Sequence, residues 1–82
     1  MSDVRTAGRL YQVLADVLGV DPSSLTEEAS PDTVAEWDSL NHLMVVNAVE
    51  GEFGVRISID EAVAMRSVSA IRGLLHARGI TG

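Results

Sequence analysis

Apolar residues recur along the first stretch of the chain as Val4, Ala7, Leu10, Tyr11, Leu14, Val17 and Leu18, a spacing that lines up one face of an α-helix. Ser2 or Asp3 suits the start of that helix, and Gly19 followed by Asp21-Pro22 stops it. The pattern then lapses. Residues 19–36 hold two prolines, three serines and five acids, with only Val20, Leu25 and Val34 as apolar anchors. A connection of this length in so small a chain is unusual and often functional; it has room for one short turn near Pro22–Leu25. Periodicity resumes at Ser39 or Leu40 and runs to Phe53, with Leu43, Val46, Val49 and Phe53 on one stripe and Gly54 as a stop. Residues 55–59 alternate like a strand but have nothing to pair with, which predicts an extended connector. Residues 60–65 predict a short third helix, with Asp60 and Glu61 suited to its first turn. Ser67 is an N-cap candidate for a last helix that turns Val68, Ile71, Leu74 and Leu75 inward and ends at Arg78 and Gly79.

Three main helices and one short one, with a long loop between the first two and no strand, predict an all-α, small four-helix bundle. Residues 1–82 are expected to form a single domain. The predicted core is Leu10, Leu14, Val17, Leu43, Val46, Val49, Phe53, Val63, Val68, Ile71 and Leu75.

Composition narrows the chemistry. The 82 residues contain no cysteine, which removes disulfides, thiolate metal sites and a thiol nucleophile of the chain's own. The start of the chain lacks the basic and apolar pattern of a signal peptide, and no apolar run approaches the roughly 20 residues of a bilayer span. A cytoplasmic protein away from membranes, and a monomer, is the expectation. The net charge is −6 and unevenly spread: residues 10–55 hold nine acids and no Lys or Arg, whereas four of the six Arg lie in residues 56–82. That balance argues against nucleic acid, which requires a basic face, and suits basic protein partners or simple solubility.

The chemistry-bearing run is Trp37-Asp38-Ser39-Leu40, where the acidic loop meets the second helix. N–H groups and the dipole at a helix start favour a negatively charged substituent, so a serine there is well placed to carry a phosphate ester. The plain alternative is an ordinary N-cap supplied by Ser39, with Asp38 competing for the role. His42, three residues on, raises a hydrolase reading, but there is no third residue or oxyanion hole to support it; His42 is expected at the surface, within reach of partners. His76, in the last turn of the final helix, suits the helix dipole. Glu27, Glu28, Asp32 and Glu36 do not follow a calcium-loop spacing. Trp37 is expected to anchor the loop end. Leu40, Met44 and Ala48 recur at i, i+4 and i+8 as a second stripe, either peripheral core or a docking strip on which a flexible Met suits varied surfaces.

Taken together, the acidic loop, Asp38-Ser39-Leu40, the apolar helix ending Glu52-Phe53-Gly54-Val55, the short acidic turn and the serine-capped last helix resemble the acyl carrier protein family, from about Leu10 to Leu75. Peptidyl carriers share this likeness. The resemblance implies that Ser39 receives 4′-phosphopantetheine from coenzyme A through a phosphopantetheinyl transferase. Acyl groups then ride as thioesters on the arm between acyl-loading and acyl-processing enzymes, and the carrier itself is no enzyme. The resemblance implies partner contacts at Asp38, Leu40, Asn41, Met44 and Glu50. Two departures from the family pattern are notable. Glu36 stands where many carriers have glycine, and the Trp37-Asp38-Ser39-Leu40 form that follows is similar to free-standing carriers of polyketide or other specialised metabolism. Asn41 and Met44 replace positions that are often acidic in fatty-acid carriers, leaving Asp38, Glu50 and Glu52 as the negative charges near this helix. An aminoacyl or peptidyl carrier remains an alternative, as does a small helical adaptor in which Ser39 only caps a helix.

Overall fold

A computed structural model describes residues 2–80, with side chains from Gly8 to Ile80. Its helices are α1 (Ser2–Leu18), α2 (Ser39–Phe53), α3 (Ile59–Ala64) and α4 (Val68–Ala77), with a single 3-10 turn at Pro22–Ser24. Among the described residues there is no strand, so the all-α bundle and the extended connector before α3 are both observed. The suggested caps at Ser2 or Asp3, and the inward positions Val4 and Ala7, lie outside the described side chains.

Each boundary has a local cause. Gly19 and Gly54 adopt positive φ of 71° and 65°, the left-handed turn that ends a helix without a Cβ penalty. Asp21 caps the 3-10 turn through the Ser23 amide. Ser67 accepts from the Ala70 amide at the start of α4, as its sequence position predicts. At α3, Ser58 and Glu61 form a reciprocal capping box, a Ser-x-x-Glu signal legible in the sequence but not recognised there.

Leu10, Leu14, Leu18, Val45, Val46, Val49, Met65, Val68, Ile71 and Leu75 build the core. Two predicted core members are exposed instead: Leu43 at 59% and Val63 at 66%. Val17 and Phe53 are only partly buried, packed against the core's edge. For Leu43 the reason is phase. α2 carries apolar residues on nearly every side, so periodicity alone does not select its inner face. The buried stripe is His42, Val45, Val46 and Val49: Val46 and Val49 are buried as predicted, and His42 and Val45 take the places expected for Leu43 and Phe53. For Val63 the reason is length: the six-residue α3 buries none of its own side chains and is anchored by Met65 at its C-cap.

The long loop is held on two sides. Leu25, Ala29 and Trp37 are buried in the core, and the loop carbonyls of Glu27 and Ala29 accept the Ser69 and Val68 amides. Those amides would otherwise be orphan donors at the start of α4. Glu27 also receives the Tyr11 hydroxyl of α1 and pairs with Arg72 of α4 at 2.6 Å. Arg9 joins α1 to the end of α2, pairing with Glu52 at 2.6 Å and lying over the Phe53 ring.

Candidate functional site

The loop end delivers Trp37, Asp38 and Ser39 to the start of α2 in a fixed register. The Trp37 amide donates to the Val34 carbonyl at 3.0 Å, and the Asn41 side-chain amide donates to the Glu36 carbonyl at 2.6 Å. Asp38 is the N-cap: its backbone is extended, and its carboxylate accepts the Asn41 amide at 2.8 Å. Ser39 is therefore the first helical residue, and of the two cap candidates in the sequence it is Asp38, not Ser39, that takes the role. Among the described residues the Ser39 side chain is exposed and makes no hydrogen bond. A carboxylate accepts an amide more strongly than a neutral hydroxyl does, so Asp38 wins the capping role and leaves Ser39 free.

His42 is also placed differently from the sequence expectation. It is buried, at 9% exposure, instead of lying at the surface. The Trp37 indole N–H donates to Nδ1 at 3.0 Å, and Nε2 lies 2.7 Å from the Ala62 carbonyl of α3. The two rings sit near-parallel, 6.1 Å between centroids. Both ring nitrogens are engaged, so neither is available as a base for Ser39, and the Ser–His hydrolase reading loses its geometry. The sequence does carry a signal for this: His42 sits at i, i+3, i+4 and i+7 with Val45, Val46 and Val49, a stripe completed only if a histidine counts as an inner residue.

Between α2 and α3 lies a cleft of about 230 Å³, lined by Ser39, His42, Leu43, Ile59, Ala62, Val63 and Arg66. Its walls are chiefly apolar; Leu40 and Met44, both exposed, share the helix face of Leu43 by their spacing. Leu40 (69% exposed), Leu43, Met44, Ile59 (83%) and Val63 thus form one apolar face around Ser39. Of the other expected contact residues, Asp38 is exposed and Asn41 partly buried. The Glu50 carboxylate accepts the Ile57 amide at 2.8 Å, holding the connector to α3.

The residues present suit a phosphodiester on Ser39. Its hydroxyl is accessible, and Asp38 takes only the Asn41 amide, leaving those of Ser39 and Leu40 without acceptors among the described residues. Orphan N–H groups and the helix dipole favour negative charge at this point.

Comparison with known proteins agrees with this geometry. The family described as "Phosphopantetheine attachment site" matches residues 8–75. An acyl carrier protein of Thermosynechococcus vestitus is 37% identical over 68 residues, covering 83% of this chain and 84% of its relative. Another, from Saccharopolyspora erythraea, is 33% identical over 66 residues, covering 80% of this chain and 70% of that protein. The chain therefore belongs to the acyl carrier protein family, whose members carry covalently attached 4′-phosphopantetheine.

Proposed function

We propose that Ser39 is the attachment point and that the protein carries acyl intermediates for polyketide or other specialised-metabolite biosynthesis. The observation that carries the first part is the unbonded, exposed Ser39 hydroxyl at the first turn of α2, beside an Asp38 that has taken over capping. In the attachment step Ser39 Oγ bonds to the pantetheine-side phosphorus of coenzyme A and gives its proton to a base of the transferase, while the pyrophosphate P–O bond at that phosphorus breaks and adenosine 3′,5′-bisphosphate leaves. A phosphopantetheinyl transferase supplies the catalysis. The arm then provides the thiol, absent from the chain itself, on which an acyl group is held as a thioester. The chain's own contribution is placement: tethering raises the effective concentration of an intermediate at each partner's active site, and no catalytic role for the carrier is required.

The pathway assignment is supported by the Glu36-Trp37 form of the motif and by the apolar face around Ser39. Partners docking there meet Leu40, Asn41 and Met44, with Asp38 as the nearest charge, so apolar contact outweighs long-range steering. We place the carrier in the cytoplasm, as a monomer of one domain. No described helix is long and apolar enough to cross a membrane.

Incubation with coenzyme A, magnesium and a promiscuous transferase is expected to add the mass of one arm. Ser39→Ala is expected to fold and stay unlabelled; labelling of that variant would place the site elsewhere. Charging assays with acyl donors against adenylating enzymes separate an acyl carrier from an aminoacyl or peptidyl one. The adaptor reading predicts no adduct, and its supporting feature, a capping Ser39, is not what the structure shows.

A further inference from the structure

Six arginines stand against twelve acids in this chain, so an arginine without a carboxylate partner is the exception to explain. Arg9, Arg72 and Arg78 are each paired, with Glu52, Glu27 and Glu61 respectively. Arg56 and Arg66 are exposed, and neither guanidinium has a partner among the described residues. The two occupy different places. Arg56 lines an open groove together with Glu50 and Glu61, whereas Arg66 lines the cleft that contains Ser39. No acid lines that cleft, and Arg66 is its one arginine. The backbone at Arg66 is fixed on both sides, by Met65 at 1% exposure before it and by Ser67, the N-cap of α4, after it. Its side chain is therefore the part free to reach.

We propose that Arg66 is a positioning residue for the arm: its guanidinium takes the phosphodiester that joins 4′-phosphopantetheine to Ser39, and so lays the arm along the cleft between α2 and α3 instead of over the acidic loop end. This deepens the Ser39 attachment reading and rests on it. A phosphodiester at Ser39 brings a full negative charge between two unlike surroundings. On the loop side stand the exposed carboxylates of Glu36 and Asp38, which repel it. On the cleft side the walls are apolar, and charge set against apolar walls is costly unless it is paired. Arg66 supplies the pair. Its planar fork of donors matches two phosphate oxygens at once, and an arginine stem can lie along apolar side chains while its head stays in water. The amides of Ser39 and Leu40, without acceptors among the described residues, hold the phosphate near the helix start but do not choose a side. Arg66 makes that choice.

Because the chain has no cysteine, the arm thiol is the one thiol of the loaded protein, and a maleimide nitroxide placed on it reports where the arm lies. In the holo protein at low salt, the label is expected to broaden the Ile59, Ala62 and Val63 amides of α3 more than the Thr33, Val34 and Glu36 amides of the loop end. Arg66→Gln should lower the ratio of the two by about two- to fivefold, the range of an exposed charge pair. Arg66→Lys, which keeps the charge, should retain most of the preference, and concentrated salt should erase it in the unaltered protein. The proposal is overturned if Arg66→Gln broadens the same amides to the same extent as the parent. It is also overturned if Arg66→Lys loses the preference as fully as Arg66→Gln, because charge is then not its cause. Should Arg66→Gln not fold, the salt series decides alone, and a preference that salt leaves unchanged sinks the proposal. Intact mass separates the two readings: no adduct removes the Ser39 site and this inference with it, whereas an adduct without a preference for α3 removes the inference only.

Discussion

Asp38 and Ser39 are adjacent, exposed and both suited by type to cap a helix, yet they take opposite roles. Asp38→Ala removes the acceptor of the Asn41 amide and is expected to cost about 1 kcal/mol. Ser39→Ala removes a hydroxyl without a partner and is expected to change stability by less than about 0.5 kcal/mol, while abolishing attachment of the arm. Urea unfolding of the two variants side by side checks this; a larger loss for Ser39→Ala would return the cap to the serine. At Trp37 the indole N–H is the only partner of His42 Nδ1 among the described residues. Trp37→Phe leaves that buried nitrogen unsatisfied and is expected to destabilise by about 1–3 kcal/mol, read as a lowered midpoint in the same assay.

At the scale of elements, α2 shows why an apolar helix is harder to orient than an amphipathic one. α1 and α4 each present a single apolar face, and their buried residues Leu10, Leu14, Val68, Ile71 and Leu75 follow directly from spacing. α2 carries apolar residues on several sides, so spacing selects Val46 and Val49 correctly but not His42 and Val45, and leaves Leu43 on the outside. Replacement tests the assignment. Met65→Ala empties a site that is 1% exposed and is expected to cost about 2–5 kcal/mol, whereas Leu43→Ala should stay within about 0.5 kcal/mol. Thermal unfolding distinguishes them. The docking face proposed for the outer side of α2 is tested by Met44→Glu, which should leave the fold intact and, if partners dock there, slow labelling by the transferase by putting a carboxylate into an apolar contact. Unchanged labelling kinetics would remove Met44 from that face.

Across the whole molecule, the loop is joined to the bundle through Glu27, which meets Tyr11 of α1 and Arg72 of α4. The Arg72 guanidinium, bonded to it directly, holds the Glu27 carboxyl below its ordinary value. A depressed carboxylate contributes stability that is fully present above the unfolded value, about 4.3 for glutamate, and is lost as pH falls through the lower folded value. Glu27→Gln should therefore destabilise at neutral pH, and its difference from the parent should vanish in acid; a gap that persists in acid would assign the effect to packing. Because the pair is partly exposed, its contribution is modest and should shrink with added salt. Helix number, helix ends, the absence of a strand among the described residues and the Ser39 motif were legible in the sequence, because capping, glycine stops and one-sided periodicity are local properties of the chain. Which side of α2 faces inward, that Asp38 caps and frees Ser39, and that His42 is buried between an indole and a carbonyl twenty residues away were decided by tertiary structure. Those outcomes depend on which groups meet after packing, and a hydroxyl or an imidazole is compatible with several such environments until its neighbours are in place.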